Sequence, residues 1–310
     1  MDILIILSLA LAIDLVLGEP PRVIHPVVWM GKVTSLWERG GIGQRPLAQF
    51  IYGTGMALVT IGLFTIPAYF ILLNLEGISY AAYVIVGAVL LKFTFSLREL
   101  RRAALGIKRL LVEEKLDEAR FELRSLVGRD TRGLPRPLLV SATVESVAEN
   151  ACDSFVAPLF YFLLFGIPGA IAYRAINTLD AIIGYHQKYE YLGKFASRLD
   201  DVANFIPARL TALLLVSAAF LSKRDSRASW QVALSDHSKT ESPNAGWPMA
   251  AIAGALNVRL EKAGHYQLGK ASAPPAPPVI DTALRLMGLA ALIWVIICFA
   301  VGVSYIVVTS

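Results

Sequence analysis

The chain has 310 residues, 55% of them hydrophobic and 17% charged, with a mean hydropathy of +0.57. A soluble domain of this length is much less apolar, and the excess lies in continuous blocks, which excludes the alternating pattern of a membrane β-barrel. The formal net charge of +5 comes without a basic run interleaved with aromatics, which argues against nucleic acid as a partner.

The composition predicts an all-α, polytopic integral membrane protein folded as a single membrane-embedded domain. Its apolar blocks cover about 3–17, 50–73, 81–95, 155–172, 206–221 and 283–308. The first block lacks a basic leader and is interrupted by Asp14, so it reads as a short membrane helix rather than a cleaved signal. The second and last blocks read as full spans.

Three polar arms separate the blocks: 98–150, 173–205 and 222–281. The first opens with Arg98, Arg101, Arg102, Lys108 and Arg109 set against Leu97, Leu100, Ala104, Ile107 and Leu111 at helical spacing. That pattern predicts an amphipathic interfacial helix on the cytoplasmic side, and Lys115 to Leu126 repeats it. The fourth apolar block holds Pro158, Gly166, Pro168 and Gly169, which bend helices and mark re-entrant segments. A re-entrant block would leave the first two polar arms on one side of the membrane. In the third arm, Ser242 to Pro248 reads as a turn and Ala271 to Pro278 as a surface linker. Cys152 and Cys298 have no metal-ligand spacing, and no Gly-rich phosphate loop is present.

Four segments share one chemical grammar. Glu145, Glu149 and Asp153 recur every fourth residue and form one acidic stripe with Asn150 at its edge, preceded by Arg129, Asp130 and Thr131. Arg174, Asn177, Thr178 and Asp180 form a second group; Arg198, Asp200, Asp201, Asn204 and Arg209 a third. The fourth is Asp14, Glu19 and His25. Like charges on one face repel, so the stripe calls for a divalent metal or arginines. Oxygen ligands without His or Cys select Mg²⁺, which is normally held by one or two carboxylates and shared with phosphates. Arginines beside them suit phosphate.

Bland roles compete for single residues. Asp200 and Asp201 suit a helix start, Asp130-Thr131 a turn, Asn177 interhelical packing, and Arg198 or Arg209 interfacial snorkelling. His25 has no second ligand nearby. Asp14, in an apolar block, is functional by default. Four such clusters in one chain weigh against a wholly structural reading.

At these residues the chain resembles the CbiB/CobD family, the adenosylcobinamide-phosphate synthases. The match runs through Asp14-Leu-Val-Leu-Gly18-Glu19-Pro20 with His25-Pro26, Gly128-Arg129-Asp130-Thr131, Glu145-Ser-Val-Ala-Glu149-Asn150 with Asp153, and Tyr173-Arg174-Ala-Ile-Asn177-Thr178-Leu-Asp180. It ends with Arg198-Leu-Asp200-Asp201-Val-Ala-Asn204, Pro207-Ala-Arg209 and Ser242-Pro243-Asn244. Two departures stand out: the family usually reads Gly-Asp-Pro at Gly18-Glu19-Pro20 and Asp-Ser-Met at Asp180-Ala181-Ile182.

The resemblance implies an ATP- and Mg²⁺-dependent ligase. It would join the carboxylate of adenosylcobyric acid, a corrinoid, to (R)-1-amino-2-propanol or its O-phosphate, in the cytoplasmic (inner) membrane with the active site facing the cytoplasm. Glu149, Asp153, Asp200 and Asp201 would then hold the metal, with Glu145 beside them. Arg129, Arg174, Arg198 and Arg209 would bind phosphate, with Asp130, Thr131, Asn150 and Asn244 in the binding set. Asn177, Asp180 and Asn204 would orient ligands, and His25 or Asp14 would be the base. Partners would be the lipid bilayer, other late cobalamin-pathway membrane enzymes and further copies of the chain. Two other classes fit the residues: a Mg²⁺-dependent membrane transferase acting on a diphosphate, and a non-enzymatic sensor like the family's distant relative AmpE.

Overall fold

The computed structural model describes residues 2–21, 23–184, 189–270 and 274–309. In chain order the helices are α1 (Asp2–Val16), α2 (Pro26–Gly41), α3 (Pro46–Ile78), α4 (Tyr80–Lys92), α5 (Leu97–Val112), α6 (Leu116–Leu123) and α7 (Arg136–Ala151). A π-helical turn (Cys152–Val156) leads into α8 (Ala157–Ile183), followed by α9 (Lys194–Leu221), α10 (Ser226–Asp236), α11 (Gly246–Leu256) and α12 (Pro278–Thr309). A small antiparallel hairpin, β1 (Leu260–Lys262) and β2 (Tyr266–Leu268), is the one departure from an all-helical chain among the described residues. Five stretches are long and apolar enough to cross a membrane: Pro46–Ile78, Tyr80–Val112, Arg136–Ile183, Lys194–Leu221 and Pro278–Val308. The protein is a multi-pass membrane protein. Ala271 to Ala273 of the expected linker lie outside the described residues.

The chain forms two compact units. One comprises Met1–Ser96, Ala157–Ala203 and Cys298–Ser310; the other comprises Leu97–Val156 and Asn204–Ile297.

In the first unit, α3 and α4 are separated by a single residue. The Ser79 N–H closes α3 on the Leu75 carbonyl at 2.9 Å, and the Ser79 hydroxyl accepts the Ala82 N–H at 3.3 Å to start α4. Met56, Ala57, Leu179, Ile183 and Ala196 form a buried cluster with Trp37 and Ile182 against it. Glycine is required where the chain runs close beside α3: a Cβ on Gly53 would collide with the Leu192 carbonyl.

The fourth apolar block does not run straight. Phe165 (φ −132°, ψ 15°) and Gly166 (φ 65°, ψ −162°) leave helical geometry. The chain doubles back there. The rings of Tyr161 and Tyr173 stack with centroids 5.2 Å apart, although twelve residues of straight helix rise about 18 Å. A Cβ on Gly169 would meet the Tyr161 carbonyl. The proline and glycine content that predicted a re-entrant segment thus sits at a real reversal.

In the second unit, α7 is buried on every side from Leu139 to Ala148, because its many Ser, Thr and Ala residues let neighbours approach. The apolar stripe of α5 (Leu100, Ala104, Ile107, Leu110 and Leu111) matches the predicted face, but α6 and α7 cover it. α10 packs on α11 around the Ser229 hydroxyl, which donates to the Ala251 carbonyl at 2.8 Å. The hairpin end is pinned by Asp236, whose carboxylate accepts the Gly269 N–H at 2.9 Å and pairs with Lys239 at 2.8 Å.

Gly166 holds a backbone conformation that L side chains rarely adopt, so Gly166→Ala is expected to cost about 1–3 kcal/mol. Thermal melting in detergent checks this. The midpoint should fall in the variant but not in Gly288→Ala, where a helical Cβ meets open space.

Candidate functional site

The N-terminal cluster closes around a residue the sequence gave no reason to single out. Lys92, at the end of α4, is 2% exposed. Its ammonium lies 3.1 Å from Asp14 at the end of α1 and 2.8 Å from Glu19, and it donates to the Phe95 carbonyl at 3.2 Å. All three ammonium hydrogens are thereby used. The His25 Nδ1 accepts the Val27 N–H at 3.2 Å and caps α2, so Nε2 carries the proton donated to Glu19 at 2.6 Å. Both ring nitrogens are engaged, and His25 accepts a substrate proton only by breaking one of these bonds. Burial would raise the Glu19 carboxyl, but the bonds from His25, Lys92 and Ser96 and the Lys92 charge outweigh it and hold Glu19 at about 2.

Also in the first unit, α8 carries the second group. Arg174 donates to Asn177 at 3.5 Å, the Thr178 hydroxyl donates to the Arg174 carbonyl at 2.7 Å, and Asp180 follows within the same helix. Asp200 and Asp201 lie part-buried in α9, where the sequence suited them to a helix start; in fact they sit in its second turn. Arg198 is exposed beside them.

In the second unit, Glu145 is 4% exposed and its carboxylate is enclosed by donors. The Ser141 hydroxyl donates at 2.6 Å, the Tyr266 hydroxyl at 2.9 Å and the Arg129 guanidinium at 3.2 Å. Ser141 in turn accepts the Glu261 N–H at 2.7 Å, fixing the hairpin to α7. Burial, then the charge of Glu145, its hydrogen bond and the charge of Glu149, push the Tyr266 phenol far above its ordinary range, so it stays a neutral donor. Arginine is therefore the cation that answers Glu145. The acidic stripe also ends early: the π-helical turn begins at Cys152, between Glu149 and Asp153, and shifts the four-residue register on which one shared face depends. Asn150 is held by Ser146 and accepts from Ser154 at 3.1 Å.

The remaining predicted residues divide. Asp130 is exposed and paired with Arg132 at 2.8 Å, and bonds from the Arg132 side chain and backbone hold its carboxyl at about 2. Thr131 is buried and donates to the Arg120 carbonyl at 2.7 Å, a loop-fixing contact. Asn204 is buried and accepts from Cys152 at 3.8 Å. Arg209 donates to Asn244 at 3.2 Å, joining α9 to the loop before α11. Among the described residues, no three His, Cys, Asp or Glu side chains gather as a metal cage. Mg²⁺ shared with phosphates needs only one or two carboxylates. Glu149 with Asp153, or Asp200 with Asp201, meets that requirement, whereas Glu145 is already satisfied. Tyr266 and Lys92 escaped the sequence reading because a lone tyrosine and a helix-end lysine carry no local signal.

Glu145→Ala strands three donors and is expected to cost about 3–5 kcal/mol, against about 1 kcal/mol for Tyr266→Phe. Melting midpoints of the two variants and of the double variant check this, and the double should fall short of the sum. For Glu19 the depressed carboxyl sets the sign. Its stabilisation is complete above about 4.5 and is lost as pH falls towards about 2. Acid melts of wild type and Glu19→Gln should therefore converge across that window.

Residues 7–287 match the model of the CobD/CbiB protein family, a stretch that holds all four polar clusters. The chain is 54% identical over 305 residues to the cobalamin biosynthesis protein CobD of Dehalococcoides mccartyi, covering 98% of each chain. It is 41% identical over 265 residues to the probable cobalamin biosynthesis protein CobD of Methanothermobacter thermautotrophicus, covering 85% of this chain and 86% of the relative. It is 43% identical over 263 residues to that of Pyrococcus furiosus, covering 84% and 86%. No solved structure matches the chain. A family model spanning nine-tenths of the sequence, with a relative alike from end to end, shows that the chain belongs to the CobD/CbiB family.

Proposed function

We propose that the protein is a membrane enzyme of cobalamin biosynthesis. It joins the carboxylate of adenosylcobyric acid to (R)-1-amino-2-propanol, or its O-phosphate, in an amide bond, and consumes ATP. Membership of the CobD/CbiB family supports the role in cobalamin biosynthesis. The observation that carries the finer reading is the residue inventory within the matched stretch: carboxylates and amides beside arginines, with no soft metal ligands.

A carboxylate is a poor acyl donor. Transfer of a phosphoryl group from ATP makes it a mixed anhydride, and attack by the neutral amine on the acyl carbon then expels phosphate. Arg129, held in place by Glu145, and Arg174, Arg198 and Arg209 supply planar guanidiniums for the phosphate oxygens. Asn177, Asp180 and Asn204 orient the ligands. Glu149 and Asp153, or Asp200 and Asp201, would hold Mg²⁺, which when bound neutralises phosphate charge. The arginine-rich face of α5 supports placing this chemistry on the cytoplasmic side of the cell membrane.

Glu149→Ala and Asp201→Ala are each expected to abolish formation of adenosylcobinamide or its phosphate from the corrinoid acid, ATP and the amino alcohol. Both proteins should still insert into the membrane and melt like wild type. Full activity in either variant rejects its assignment. Product formed from a lipid diphosphate without ATP rejects the ligase reading altogether.

A further inference from the structure

Arg209 stands out among the arginines of the second unit by its surroundings. Its guanidinium carbon lies 3.6 Å from the ring centroid of Phe205 and 5.1 Å from that of Trp247. Nη1 donates to the Phe205 carbonyl at 2.6 Å and to the Asn244 side chain at 3.2 Å. Trp247 in turn stacks on His237, with centroids 4.0 Å apart and planes 12° apart. Burial, then the charge of Arg209, pushes the His237 imidazole below its ordinary range, so at neutral pH it adds no second positive charge.

This cation is fixed in orientation and part-buried, yet no carboxylate pairs with it among the described residues. A part-desolvated charge without a counter-ion is costly, and a neighbouring anion relieves that cost. A second donor lies beside it: the Trp247 indole N–H is buried and has no hydrogen-bond partner among the described residues. Trp247 also opens the first turn of α11, whose end lacks a side-chain cap and favours negative charge. On the other flank, Phe205 is 53% exposed and Ile206 continues the apolar surface of α9. Ring stacking leaves the in-plane edge of the guanidinium as its route to an oxygen ligand, the geometry that suits phosphate.

We propose that Arg209, Asn244 and Trp247 form an aromatic-braced seat for one phosphate group, filled without a metal ion or corrinoid. The phosphate belongs either to a soluble phosphate compound or to a lipid headgroup. The proposal rests on the reading of Arg209 as a phosphate-binding residue and adds the aromatic brace and the independence from metal.

The test uses the full-length protein in phosphatidylcholine nanodiscs without Mg²⁺. Inorganic phosphate and then ATP are titrated while tryptophan emission is followed. A saturable change is expected. It should disappear in Trp247→Phe, weaken about tenfold in Arg209→Lys and vanish in Arg209→Gln. In nanodiscs containing phosphatidic acid, emission already shifted, with no further response to soluble phosphate, supports the seat and identifies the headgroup as its occupant. No saturable change with phosphate, ATP or phosphatidic acid overturns the proposal. So does a change that survives in Trp247→Phe, or an Arg209→Gln protein that titrates like wild type. Amide synthesis is scored separately: a normal emission titration without synthesis leaves the seat standing and removes the ligase reading, and the converse removes only the seat.

Discussion

A carboxylate that leaves water must find donors close at hand, and in an apolar setting nothing else substitutes for them. Two such carboxylates organise this molecule. Asp14 reaches the ammonium of Lys92, which also binds Glu19 and so ties the end of α1 to the end of α4 and, through His25, to the start of α2. Glu145 gathers Ser141, Arg129 and Tyr266, and with them α7, the loop before it and the β-hairpin. Each is a meeting point for chain segments distant in sequence. Removing either charge would leave the opposite partners buried and unmatched, which costs more than the net gain of forming the pair.

Satisfaction of this kind separates residues that build the fold from residues open to a ligand. Glu145, Thr131 and His25 look alike in the sequence as polar groups in suggestive places, yet each has its hydrogen-bonding capacity committed locally. Arg129 sits between the classes. One nitrogen serves Glu145, while its buried Nε has no hydrogen-bond partner among the described residues. A guanidinium anchored at one corner and open along an edge is pre-oriented, so little rotamer entropy remains to be lost when an anion arrives.

What the sequence disclosed follows from range. The buried face of α5 was legible because helical period alone sets which of its residues share a side. The apolar blocks were legible because hydrocarbon demands runs of a given length. Their edges were less so: the second block, expected at 50–73, extends over Pro46–Ile78, since proline at the first helical position and Ser79 past the end set the limits. The bond between Tyr266 and Glu145 spans 121 residues and the pair of Lys92 with Asp14 spans 78, separations at which spacing carries no information. The acidic stripe failed for a subtler reason. Four-residue spacing presumes a regular α-helix, and the π-helical turn at Cys152 breaks that presumption between its second and third members.

The fold-back at Phe165 and Gly166 changes how the chain is counted through a bilayer. Hydropathy scores Arg136–Ile183 as one long passage. A helical loop that returns on itself contributes zero net transits, whether its arms go partway or all the way through. Parity therefore flips for everything downstream. A reporter fused beyond Ile183 would be assigned to the wrong compartment by any scheme that adds up apolar segments.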